Sequence, residues 1–205
     1  DNKKWYGDQI FKYSIRQGID SGYLCPYQIM TLFTDNKYID KLIKNNILVN
    51  SALLKETNSY YLACAIMIIK SFMENGCNHL VTYHNSIENS KLLLQLLETL
   101  FPYFKLKVHI YQIDGKYSII KRNKIIKLFT ESEKSILLTA KVLNEGVNIP
   151  IIDSVCFVDQ RESTIDITQC VGRALRPYNG KKIAKILIPC VFDDINYITD
   201  ETYIN

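Results

Sequence analysis

Gln169, Arg173 and Arg176 are the residues of this chain whose types and spacing speak most directly of chemistry. They lie in the run Gln169-Cys170-Val171-Gly172-Arg173-Ala174-Leu175-Arg176. On a helix of about 3.6 residues per turn, positions i, i+4 and i+7 share one face. Ile167, Val171, Ala174 and Leu175 form an apolar stripe on another face, suited to packing on a core. One short helix can thus be anchored on one side and aim two guanidiniums from the other. A guanidinium is always charged and forked, which is what phosphoryl transfer uses where negative charge builds on a γ-phosphate. The alternative reading of the octet is two solvated surface arginines.

A second motif precedes it. Thr139-Ala140-Lys141-Val142-Leu143-Asn144-Glu145-Gly146-Val147-Asn148-Ile149-Pro150 starts at the end of an apolar run. Gly146 opens backbone conformations closed to other residues, and Pro150 fixes the chain just afterwards. Such a loop can present the Glu145 and Asn148 side chains to a ligand. It can equally be an ordinary loop leaving a strand.

The elements that must position these residues alternate. Strands are expected at 79–84 (HLVTYH), 107–113 (KVHIYQI), 135–140 (SILLTA), 154–158 and 183–191 (IAKILIPCV). Helices are expected at 60–69, 87–100, 118–129 and 163–175, with Ser86, Ser118 and Ser163 as N-caps. Short apolar strands alternating with helices imply an α/β fold, a mostly parallel sheet covered by helices on both faces. Ligands of such sheets bind beyond the carboxyl ends of the strands, which singles out the loops after Ala140 and Asp159. Residues 1–57 are less regular, with helical stretches near Asp8–Gln17 and Tyr38–Asn45 around an extended segment at 28–33. They are expected as an N-terminal extension packed on the domain formed by 58–205.

The chain has 205 residues, 47% hydrophobic and 22% charged, which suits a globular domain with a core. Its formal net charge of +4 is compatible with a nucleic-acid backbone as partner. Two basic groups, Lys116, Lys121, Arg122, Lys124 and Lys127, and Arg173, Arg176, Lys181, Lys182 and Lys185, read most simply as solvated faces. The six cysteines show no C-x-x-C pair and suggest reduced thiols in an intracellular protein, in cytoplasm, nucleus or a viral replication compartment. The three histidines lack zinc-ligand spacing, so no metal site is expected within the chain. No signal peptide is visible, and the longest apolar run, 60–69, is too short to span a bilayer, so no membrane partner is expected.

Taken in order, the two motifs resemble the C-terminal, second RecA-like domain of superfamily 2 helicases, in the restriction-enzyme-like and DEAD/DEAH-related branches. There E-G-x-D-x-P is motif V and Q-x-x-G-R-x-x-R is motif VI. Residues 79–97 resemble the motif IV strand and helix, and Gly115, Arg122 and Phe129 resemble the family's G…R…F stretch. Tyr13-Ser14-Ile15, Gly18-Ile19 and Gly22-Tyr23-Leu24-Cys25-Pro26-Tyr27 resemble the segment that opens this domain in the restriction-enzyme-like branch.

The resemblance implies an ATP-dependent helicase or translocase in which Arg173 and Arg176 are arginine fingers oriented by Gln169. Glu145, Gly146 and Asn148 would line the nucleotide cleft, with Asn148 standing where the family usually has Asp. Asparagine keeps an acceptor there but loses the charge. Asn85, Ser86, Thr139 and Lys141 would meet DNA or RNA, with Ser86 equally explained as a helix cap. ATP and Mg2+ would be held mainly by an N-terminal RecA-like domain of the same polypeptide. No G-x-x-x-x-G-K-[ST] and no D-E-x-[HD] box occurs here, so the chain is expected to be part of a longer protein and not to hydrolyse ATP alone. Two other readings are a non-catalytic helicase-like scaffold and the motor subunit of a restriction nuclease.

Overall fold

A computed structural model describes residues 13–35, 59–140, 149–161 and 163–192. Six strands form one sheet: β1 (Tyr27–Asp35), β2 (His79–His84), β3 (His109–Asp114), β4 (Ser135–Ala140), β5 (Ser154–Phe157) and β6 (Ala184–Phe192). Their spatial order is β1-β6-β5-β2-β4-β3, and every pairing is parallel. Five helices are described: α1 (Ile15–Asp20), α2 (Ser59–Glu74), α3 (Ile87–Tyr103), α4 (Ile119–Glu131) and α5 (Thr164–Ala174).

Successive strand residues point to opposite faces, and here both faces are apolar. Leu80, Ile136, Leu138, Cys156 and Leu187 pack under α2 and α3. Their neighbours Val81, Leu137, Val155 and Ile186 pack under α1, α4 and α5. The connections leading toward β3 carry α2 and α3, and those leading back carry α4 and α5. A single crossover handedness requires this division. The architecture is the parallel α/β one that the strand pattern implies.

Four helices start on a serine whose hydroxyl accepts an otherwise unpartnered amide: Ser14 from Gln17, Ser86 from Asn89, Ser118 from Lys121 and Ser163 from Asp166. Each such cap is worth about 1 kcal/mol. At Ser14 the Gln17 side chain reciprocates to the Ser14 amide, completing a capping box.

Two features differ from the sequence reading. The extended segment near 28–33 is no packed-on extension but strand β1 of the sheet, in register with β6 from Tyr27↔Ala184 to Asp35↔Phe192. Of the helical stretch near Asp8–Gln17, residues 8–12 lie outside the described residues and 15–17 fall in α1, and the stretch near Tyr38–Asn45 lies outside the described residues. Helix α5 ends at Ala174 with Leu175 as its cap, so Arg176 stands past the helix. Pro177 explains this ending, because a residue before proline is disfavoured in helical conformation.

Candidate functional site

The carboxyl ends of β2 and β5 lie side by side, with Tyr83 opposite Phe157 in the register. The turns that follow them are tied together by Asp159. Its carboxylate accepts from the Asn85 amide at 2.6 Å, the Asn89 side-chain amide at 3.0 Å and the Tyr61 hydroxyl at 3.0 Å. The Asn85 side chain in turn donates to the Gln160 carbonyl at 3.0 Å, and Tyr60 donates to the Val158 carbonyl at 2.7 Å. The start of α3 and the approach to α5 are therefore held as one unit. Asp159 and Tyr61 were not legible as site residues, because the contacts join positions some 70 to 100 apart in sequence.

Behind this unit the Tyr83 ring stacks on Phe157 at 5.7 Å, and the Arg161 guanidinium lies 5.3 Å from the Tyr83 ring centroid. Burial pushes the Tyr83 phenol and the Cys170 thiol up, and the Arg161 and Arg173 guanidiniums both pull them down. Two arginines from different segments thus act on the same pair of side chains. The Arg161 Nε is buried without a hydrogen-bond partner among the described residues. Sequence reasoning marked the loop after Asp159 but passed over Arg161, which belongs to neither motif.

Beyond these residues a groove of about 940 Å³ opens, lined by Tyr60, Tyr61, Phe157, Asp159, Arg161 and Val171 among others. It runs from the end of β5 along α5, over β6 and β1. Beside it His84 is buried, with Nε2 2.9 Å from the Thr82 hydroxyl and Nδ1 unpartnered among the described residues. Desolvation holds His84 neutral, lowering it to about 4.

The octet is carried as expected on the apolar side and differently on the other. Val171, Ala174 and Leu175 are buried in the core, and Ile167 packs partly against it. Gln169 is exposed, but Arg173 is only 8% exposed and is buried near Tyr83 and Cys170, while Arg176, half-buried, follows at the bend after the helix. Gly172 immediately precedes Arg173, with nothing among the described residues within 4 Å of where a Cβ would stand.

The other expected residues are placed unevenly. Asn85 is exposed, and Ser86 caps α3 with its hydroxyl accepting at 3.0 Å. Thr139 is 1% exposed and donates its hydroxyl proton to the Thr82 carbonyl at 2.8 Å, so the group is turned into the sheet and not toward a ligand. Lys141, Glu145, Gly146 and Asn148 lie outside the described residues. Arg122 donates to the Gly115 carbonyl at 3.1 Å and Phe129 is fully buried, so the G…R…F stretch closes the turn after β3. Among the described residues no His, Cys, Asp or Glu cluster could hold a metal ion, and no helix is long and apolar enough to cross a membrane.

Known proteins share this fold. The chain is 24% identical over 206 residues to "Probable helicase A859L" of African swine fever virus, covering 98% of this chain and 22% of that protein. It is 28% identical over 134 residues to "ATP-dependent RNA helicase HAS1" of Candida glabrata, covering 64% of this chain and 26% of that one. Among solved structures, the type ISP restriction-modification enzyme LlaBIII bound to DNA matches with a TM-score of 0.79 at 22% identity, over 93% of this chain and 14% of that one. Domain 2 of the DEAD-box helicase Mss116p bound to an RNA duplex matches with a TM-score of 0.54 at 16% identity, over 81% and 55%. The chain thus spans only about a fifth of the viral helicase it matches. Residues 64–178, more than half of the chain, match the helicase conserved C-terminal domain, and the chain belongs to that family.

Proposed function

We propose that this chain is the second motor domain of an ATP-dependent nucleic-acid helicase or translocase, and that it completes a nucleotide site whose other half belongs to a first motor domain of the same polypeptide. The observation that carries the reading is the end of α5, where an open Gly172 backbone immediately precedes Arg173 and Arg176 follows just past the helix. Glycine inside a helix costs about 1 kcal/mol relative to alanine. Neither a positive φ nor a close neighbour among the described residues calls for it here. An outside surface that approaches the helix backbone does.

ATP supplies the γ-phosphoryl group that is transferred to water, with Mg2+ held mainly by the first domain. The residues of this chain that fit its charge are Arg173 and Arg176, with Gln169 one helical turn before Arg173. Arg173 is buried, which limits its rotamers, so its guanidinium is pre-positioned. Glu145, Gly146 and Asn148 line the same cleft in this reading.

The nucleic-acid strand passes the start of α3. Asn85 is exposed at this turn and the helix N-terminus favours a phosphate, while the Ser86 hydroxyl is engaged by the cap bond and by Glu88. Lys141 adds charge. Asp159 links this turn to the approach to α5, so a strand contact and the arginine helix share one rigid connection. A restriction-nuclease motor is the second reading, favoured by the fold's match to LlaBIII over 93% of this chain; DNA is then the track.

The test is nucleic-acid-stimulated ATP hydrolysis by the longer protein carrying Arg176→Ala. The reading expects a loss of about a thousandfold or more. An unchanged rate overturns it.

A further inference from the structure

Lys181 belongs to a basic run that reads from sequence as a solvated face, yet its ammonium donates to three backbone carbonyls. These are Pro150 at 3.1 Å, Ile152 at 2.9 Å and Ala174 at 2.9 Å. An ammonium has three protons, and all three are used. Pro150 and Ile152 follow closely on residues 141–148 in the sequence, and Ala174 is the last residue of α5.

The chemistry of the position is specific. The last carbonyls of a helix have no partner within it and carry the negative end of its dipole. An ammonium there is both donor and counter-charge. Cys25 completes the cap, its amide donating to the Leu175 carbonyl at 2.8 Å and its thiol to the Ala174 carbonyl at 3.6 Å. The turn that delivers Lys181 is also built for it. The Lys181 amide donates to the Tyr178 carbonyl at 3.0 Å, and Gly180 supplies the φ of +83° that a side chain resists.

Arg176 follows immediately after the capped Leu175. We propose that Lys181 is a positioning residue for the arginine pair, locking the backbone at Pro150 and Ile152 to the end of α5 and so fixing the backbone that carries Arg173 and Arg176. The proposal rests on the reading of those arginines as phosphate-facing groups. Lys185 provides a matched comparison. It is 8% exposed and its ammonium donates to the Gly76 carbonyl at 2.9 Å, after α2 and on the other face of the sheet. It is a lysine of the same structural kind with no connection to the arginines.

The experiment compares Lys181→Met, Lys181→Arg, Lys185→Met and Arg176→Ala in the full-length protein, reading kcat and KM for ATP, nucleic-acid affinity and the unfolding midpoint. Both methionine variants lower the midpoint. Only Lys181→Met lowers kcat, by about tenfold to a hundredfold, as misplacement by an ångström does. KM and nucleic-acid affinity stay within about twofold, and Lys181→Arg recovers part of kcat because its cation still reaches the carbonyls. Where Lys181→Met does not fold, Lys181→Gln, which keeps two donors on a shorter arm, shows the same split in reduced degree. A slow Arg176→Ala beside a Lys181→Met no slower than Lys185→Met overturns the positioning role alone. A wild-type rate in Arg176→Ala overturns the arginine reading and the positioning role with it.

Discussion

Replacing Gly172 with alanine separates what the fold wants from what the site wants. Gly172 sits within α5, one residue before Arg173, half-exposed and without a positive φ. A Cβ there meets nothing within 4 Å, so alanine introduces no clash and no backbone strain. Two gains remain: alanine's better helix propensity and a less disordered unfolded chain. These are two views of one effect, worth about 0.4–1 kcal/mol. For a chain of this size that is a rise of roughly 1–4 °C in Tm. The assay is thermal unfolding followed by circular dichroism, paired with nucleic-acid-stimulated ATP hydrolysis in the longer protein. The expected result is a more stable domain whose kcat falls by about tenfold or more, the effect of a methyl group holding the approaching surface away by an ångström. A lower Tm shows that the glycine serves the fold. A raised Tm with an unchanged rate shows that nothing approaches the helix at Gly172, and the argument for an outside partner there fails.

Other expectations concern the groups around it. His84 is held near 4 by burial against an ordinary 6.5, so the unfolded chain takes up a proton that the folded chain refuses. Its contribution is therefore complete above about pH 6.5 and is lost as the pH falls toward 4, at most about 3 kcal/mol. Urea midpoints at about pH 7.5 and pH 5 show this acid limb, and His84→Gln flattens it; an unaltered limb places the titration elsewhere. Asp159→Ala leaves the Asn85 amide, the Asn89 side chain and Tyr61 without their common acceptor. A loss of about 2 kcal/mol is expected, with faster hydrogen exchange at the Asn85 amide; protection equal to wild type contradicts the tie between the two turns. Lys141→Ala weakens nucleic-acid binding evenly across sequences and lowers the salt slope by about one. An unchanged slope removes Lys141 from the strand path.

Much of the fold is legible because it depends on local pattern. The strands 79–84 and 135–140 are mainly apolar runs, and every residue in them is buried because both faces are covered. Ser86, Ser118 and Ser163 announce their helices because a hydroxyl that caps an amide acts within three residues. The end of α5 was misplaced by one step although Pro177 signals it, since the apolar stripe continues through Leu175 and masks the break. What depends on distant neighbours left no local trace. Nothing around Tyr27–Asp35 says that its partner is Ala184–Phe192. Asp159 reads as a loop acid until the Asn85 amide is seen to face it. Lys181 and Lys182 are adjacent and alike in type, yet only Lys181 meets three carbonyls. Thr139 shows the converse, a residue at a telling place whose hydroxyl the sheet itself uses.

The central claim is that Arg173 and Arg176 serve the chemical step on a nucleotide held by another domain. Its most direct measurement is the single-turnover rate of ATP hydrolysis by the longer protein with both arginines replaced by alanine, alongside equilibrium ATP binding. The account predicts a rate lower by about a thousandfold or more. ATP affinity should stay within about tenfold, because the guanidiniums act on charge that develops during transfer. A wild-type rate, or a loss that lies wholly in ATP binding, contradicts it.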